Sequence, residues 1–262
     1  MEKMHESEDP ERSLRLALAN EEFELYGQPI VSVLQPGRFP MAEVLVRMRA
    51  EEDYMLPPGD FIPVFEHYGM MPELDRWVSA HAIRMLARSK AIPVLCLNLH
   101  PQTFLDEGFA ENMAHELSRA HVEGSSLVFE FEHADILADE TGAQRLAEEL
   151  RRRGCQICVC GVGERSESLR SIKLMHPTII KVDGGLIRNL LDDKTRQIKL
   201  KALTRIAGTL QTQVVAEFVE DPEVLAQLRA YGVDFAQGFA VFEPAPLKRL
   251  LFPQSRPTGP AS

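Results

Sequence analysis

The sequence predicts an α/β fold, a modified TIM (β/α)8 barrel whose first strand runs antiparallel to the rest. Eight short β-rich runs, helical apolar spacing between most of them, and a hairpin signal at Gln35-Pro36-Gly37 between the first two runs lead to that prediction. An open doubly wound sheet is the alternative architecture and fits the hairpin less well.

Residues 1–12, MEKMHESEDPER, are charged and polar and read as a tail or the start of a helix. Runs 23–33 and 42–48 form the hairpin, and 61–68 and 72–87 repeat apolar residues every three or four positions, as helices do. A third strand at 93–98 precedes a helix over 103–120, and a fourth at 126–132 precedes a helix over 141–153. Strands at 156–161 and 178–183 flank a helix at 169–175, and the helix 195–210 leads to a seventh strand at 213–217. Asp221-Pro222, with Glu223 in the first turn, caps a helix over 222–231, and the last strand spans 233–242. One barrel domain therefore covers 13–252, and 253–262, PQSRPTGPAS, reads as a disordered tail.

The 262 residues hold 29 basic and 39 acidic side chains, a net charge of −10 that argues against DNA as a partner. No apolar run approaches the roughly 20 residues that cross a bilayer, so membrane insertion is not expected. The N-terminal residues show no secretory pattern, and a cytoplasmic location is the expectation. Four cysteines in a chain of this length make no disulfide framework. Cys155-x-x-Cys158-x-Cys160 reads as buried free thiols, since zinc sites normally take four ligands and no second pair follows.

Barrels of this kind bind at the carboxyl ends of their strands. Those ends are polar here: Glu43 and Arg47, then Asn98, Glu130 with Glu132, Lys181 with Asp183, Glu217 and Glu220, and Gln237. Acids with an amide suit hard divalent cations, Mg2+ or Mn2+.

These residues resemble the motifs of EAL domains, the phosphodiesterases of cyclic di-GMP. Glu43-Val44-Leu45-Val46-Arg47 resembles E-x-L-x-R, Gln28-Pro29-Ile30 resembles Q-P-I, and Asn98-Leu99 resembles N-L-S. Glu130 matches the first acid of E-I-T-E, Lys181-Val182-Asp183 matches K-I-D, Ala216-Glu217-Phe218-Val219-Glu220 matches A-E-G-V-E, and Gln237-Gly238 matches Q-G. The resemblance implies a barrel with an antiparallel first strand, two divalent ions among the acids, and an arginine on the ligand phosphate.

Departures from the motifs shape the functional expectation. Cys160 and Gly161 stand where the family has the Asp pair that bridges the metals, His133 replaces the second acid of E-I-T-E, and His100 replaces the serine. No side chain at the end of that strand then offers oxygen to tether two cations. Glu43, Asn98 and Glu130 remain as remnant ligands for at most one weakly held Mg2+ or Mn2+, so no metal cofactor is expected. Glu43, Lys181 and Glu217 are read as remnants of a catalytic centre, and the chain is expected not to be an enzyme. The ligand-binding set is Gln28, Glu43, Leu45, Arg47, Asn98, Lys181, Asp183, Phe218, Glu220 and Gln237. Phe218 would stack on guanine and Glu220 would accept from its N1–H and N2–H.

This pattern resembles the FimX-like receptors within the family. It implies cyclic di-GMP as ligand, a regulatory protein partner of the PilZ type or a homodimer, and a role in pilus, motility or biofilm control. An interaction module that has lost the nucleotide and a residual phosphodiesterase are the alternatives.

Overall fold

The computed structural model describes residues 10–35, 37, 39–49, 55–89 and 91–253. Of the expected tails, 1–12 and 253–262, residues 1–9 and 254–262 lie outside the described residues, as does Pro36 of the predicted turn.

The chain closes into an eight-stranded barrel with helices outside it. β1 (Phe23–Ser32) and β2 (Met41–Arg49) form the predicted hairpin, antiparallel from Phe23 opposite Met48 to Ile30 opposite Met41. β3 (Met55–Leu56) extends β2 as a short ribbon outside the closed ring. β4 (Val94–Asn98), β5 (Leu127–Glu132), β6 (Gln156–Val162), β7 (Ile179–Val182) and β8 (Gln213–Ala216) run parallel to β2 and to one another. β9 (Phe235–Ala236) is parallel to β8 and antiparallel to β1, which closes the ring. β10 (Ala245–Pro246) pairs with β1 at its edge.

Strand alternation builds two apolar layers. Inward-facing Ile30, Met41, Cys96, Val128, Cys158, Cys160, Ile179 and Val215 pack one another in the barrel interior. Their sequence neighbours Leu95, Leu97, Phe129, Ile157, Val159, Ile180 and Val214 face the helices. One more inward position along, the apolar layer gives way to Glu43, Asn98, Glu130, Lys181 and Glu217, so the polar layer sits at the carboxyl ends.

Three predicted elements change in extent. The last strand shrinks from 233–242 to Phe235–Ala236 because Gly238 takes a φ of +152° and turns the chain back over Val219. The helix predicted over 103–120 is two, Pro101–Phe104 and Phe109–Ala120, with Leu105 to Gly108 between them. Residues 10–12 begin a helix, Pro10–Ala19, which buries Leu14 and Ala17 against a cluster with Phe23, Phe61 and Phe65.

Candidate functional site

Lys181 is the centre of the polar layer, 1% exposed. Its Nζ donates to Glu43 Oε2 at 2.6 Å and to Glu130 Oε2 at 2.8 Å, and stands 3.6 Å from Glu217 Oε1. Glu43 also accepts from Asn98 Nδ2 at 2.8 Å and from Gln237 Nε2 at 2.7 Å. The second amide hydrogen of Gln237 reaches Gln28 Oε1 at 3.0 Å. Five strands and the residue after β9 thus meet in one hydrogen-bonded floor, and the sequence-predicted Gln28, Glu43, Asn98, Lys181 and Gln237 all belong to it.

The floor holds three carboxyls and one ammonium. Burial raises Glu130 to about 7, offset in part by Lys181 and reinforced by Glu43. Burial likewise raises Glu217 to about 8. Burial works against ionised Glu43 as well, but Lys181, Gln237 and Asn98 together hold it below its ordinary value. Desolvation would lower Lys181, yet Glu130, Glu43 and Glu217 carry it well above its ordinary value, so it stays an ammonium.

Above the floor opens a cavity of about 320 Å³ whose walls include Gln28, Leu45, Phe218, Glu220 and Gln237 of the predicted set. Arg188 and Phe239 line it too and were missed by the sequence reading. Phe218 and Phe239 are 52% and 62% exposed, two large apolar rings turned to solvent. Phe218 adopts a φ of +53°, and a Cβ on Gly184 would collide with its ring, so that glycine lets the ring lie down on the chain. The Arg188 guanidinium stands 5.4 Å from the ring centroid.

Two predicted ligand residues are placed elsewhere. Arg47 shares a face of β2 with Glu43 and Leu45, but its guanidinium donates to the Val46 carbonyl at 2.9 Å and lies 5.6 Å from the Tyr26 ring. Among the described cavity walls it takes no part. Asp183 caps the short helix Gly184–Ile187, accepting from Gly185 N at 2.6 Å. His100 is a cap as well, its Nδ1 accepting from Gln102 N at 3.1 Å.

At the end of β6 the register against β7 shifts, and Gly161 turns to a φ of +69°. A Cβ there would clash with Glu132 Oε1. The expectation that no oxygen-bearing side chain stands at this strand end is therefore corrected: Glu132 of β5 supplies a carboxylate to the space Gly161 leaves empty. Periodicity could not show this, because the group arrives from the neighbouring strand. Position 160 still offers sulfur, its Sγ 3.7 Å from Glu130 Oε2. Sulfur does not bridge hard cations as a carboxylate does, so this donor set does not fit a bridged pair of Mg2+ or Mn2+ ions.

Fold and site together define a barrel protein with a polar-floored cavity at the carboxyl ends of its strands. The chain belongs to the EAL domain family, whose model matches residues 11–244. It is 28% identical over 237 residues to cyclic di-GMP phosphodiesterase PdeF of Escherichia coli K12, covering 89% of this chain and 31% of the relative. To cyclic di-GMP phosphodiesterase NbdA of Pseudomonas aeruginosa it is 29% identical over 249 residues, covering 92% of this chain and 31% of the relative. It thus spans about a third of the length of these relatives. The crystal structure of the FimX EAL domain from Pseudomonas aeruginosa bound to c-di-GMP superposes with a TM-score of 0.82 at 27% identity, over 88% of this chain and 94% of that one. The expectation that the chain is not an enzyme is overturned by these relatives: proteins that match nearly all of it are named as phosphodiesterases. Replacement of the Asp pair was too narrow a basis for that expectation. Among the described residues no helix is long and apolar enough to cross a membrane.

Proposed function

We propose that the chain binds cyclic di-GMP in the mouth of the barrel. The observation that carries this reading is the exposed Phe218 ring beside Arg188 on a cavity whose floor is the Glu43–Lys181–Gln237 network. Phe218 offers a stacking face for guanine, worth about 1–3 kcal/mol per base. Glu220 is an acceptor for the guanine N1–H and N2–H, and Arg188 is a cation for phosphate. Similarity to a FimX EAL domain crystallised with c-di-GMP supports the assignment.

Occupancy is relayed to a regulatory protein of the PilZ type in control of pili or motility, as the resemblance to FimX-like receptors implies. The four free cysteines are in keeping with a reducing cytoplasm. A second reading, hydrolysis of the same ligand, is favoured by the named phosphodiesterase relatives and by the carboxylates that converge on Lys181.

Calorimetry with cyclic di-GMP tests the binding, with Phe218→Ala and Arg188→Ala as weakened variants. A folded sample that gives no heat overturns it. Chromatography of the same mixtures with Mn2+ present follows the linear dinucleotide that hydrolysis would release. Native mass spectrometry reads a PilZ-type partner or a homodimer.

A further inference from the structure

We propose that Cys158, Cys160 and Glu130 form a binding site for a thiophilic divalent cation, zinc above all, inside the barrel. One ligand atom from each lies within 4.8 Å of the other two. The two Sγ atoms are 3.9 Å apart, and Cys160 Sγ is 3.7 Å from Glu130 Oε2. Tetrahedral zinc, with Zn–S near 2.3 Å and Zn–O near 2.0 Å, sets its ligand atoms about 3.8 Å apart for two sulfurs and about 3.5 Å for sulfur and oxygen. The two sulfur-bearing edges on Cys160 need adjustments of only a few tenths of an ångström, and the Cys158–Glu130 edge, within 4.8 Å, shortens further to close on the ion.

Topology explains how three ligands arise from a motif that looks incomplete in the sequence. Cys158 and Cys160 are two apart on β6 and both point inward. β5 brings Glu130 into register with Cys158 on the adjoining strand. The second ligand pair sought along the chain is replaced by one carboxylate from across the ladder. Three protein ligands leave the fourth position of a tetrahedral ion to water or another ligand, as in zinc sites with three protein ligands.

A second observation points to a cation. Glu130 is 2% exposed; its Oε2, the oxygen near Cys160, accepts from Lys181, while its Oε1, also 2.8 Å from that ammonium, has no hydrogen-bond partner and is the oxygen free to turn to an ion. Around it three carboxyls face a single ammonium, which keeps Glu43 and Glu217 as partners when Glu130 turns to an ion. Two sulfur donors then decide the identity of that ion, because thiolates select zinc over magnesium or manganese.

This site shares Glu130 with the floor beneath the nucleotide cavity, but metal binding is read without nucleotide. Titrating the full chain with Co2+ under a non-thiol reductant tests it. One ion per chain with a sulfur-to-cobalt absorption band in the near ultraviolet, displaced by Zn2+ and untouched by Mg2+, is the expected result. Cys158→Ser and Cys160→Ser each abolish the band. Cys155→Ser, which removes a thiol packed on the outer, helix-facing side, keeps it. Circular dichroism checks folding, and Glu130→Gln provides a second weakened variant should a serine variant unfold. Absence of the band, its survival in either serine variant, or its loss in Cys155→Ser overturns the proposal.

Discussion

Lys181 Nζ lies 2.6 Å from Glu43 Oε2, which joins β7 to β2 across the full width of the barrel mouth. Neither group is a surface partner: the lysine side chain is 1% exposed and that of Glu43 13%. The ammonium is what allows Glu43, Glu130 and Glu217 to share one floor. Removing one partner of a buried ion pair leaves an uncompensated charge and costs about 3–5 kcal/mol. Lys181→Met is therefore expected to lose stability on that scale at neutral pH, measured by urea unfolding. A loss below about 1 kcal/mol would contradict the role given to the lysine.

Asp75 makes the protein's stability depend on pH. Burial raises its carboxyl to about 7, although Thr103 Oγ1 donates to it at 2.6 Å and His100 N at 3.0 Å. In the unfolded chain the group titrates near 3.8, so between these values the folded state holds a proton that the unfolded state has lost. Its contribution is fully present below the unfolded value and fades as pH rises through about 7. Asp75→Asn does not titrate, so its destabilisation relative to the parent is expected to shrink between pH 5 and pH 8. Thermal unfolding at both pH values checks the sign, and a deficit that grows with pH would contradict it.

Much of this site was legible because barrel strands expose their chemistry in a fixed rhythm. Glu43, Asn98, Glu130, Lys181 and Gln237 each stand one inward step beyond the apolar layer of the barrel, and the rule that ligands bind toward the carboxyl ends brings them together before any coordinate is known. Arg188 escaped because it follows the four-residue helix Gly184–Ile187 and carries no periodic signal. Arg47 lies on β2 as expected and Asp183 one residue past β7, but local partners, Gly185 N and the Val46 carbonyl, claim their side chains. The relation between Glu132 and Gly161 depends on two adjacent strands at once, and strand patterns read singly do not contain it. The helix Pro10–Ala19 was only half seen, since its buried stripe, Leu14 and Ala17, is two residues wide.

Glu132 and Gly161 are expected to be energetically coupled. Gly161→Asp restores the side chain the family motif has at this position, but its Cβ would meet Glu132 Oε1 at a φ of +69°. The single change is expected to destabilise, by steric conflict and by left-handed backbone strain of about 1–2 kcal/mol. Glu132→Thr vacates the space and relieves the conflict. A double-mutant cycle measured by chemical unfolding is expected to give a coupling of about 1 kcal/mol or more in favour of the pair. Additive effects would mean that Glu132 can swing away freely and is not the group that fills the gap.

Phe218 separates stability from binding. The residue holds a φ of +53° while its ring is half in solvent, so the fold gains little from the side chain. Glycine at 218 relieves about 1–2 kcal/mol of left-handed strain, set against about 0.4–1 kcal/mol of added unfolded-state freedom. Phe218→Gly is therefore expected to leave stability within about 1 kcal/mol of the parent, a margin set by those opposing terms. The same change removes the ring that Arg188 covers at 5.4 Å, and with it the stacking face for guanine. Affinity for cyclic di-GMP is expected to fall roughly tenfold or more, the equivalent of about 1–3 kcal/mol of base stacking. Calorimetry and thermal unfolding on one preparation read both quantities. Unchanged affinity would remove the ring from the ligand site, and a large loss of stability would show that the ring serves the fold instead.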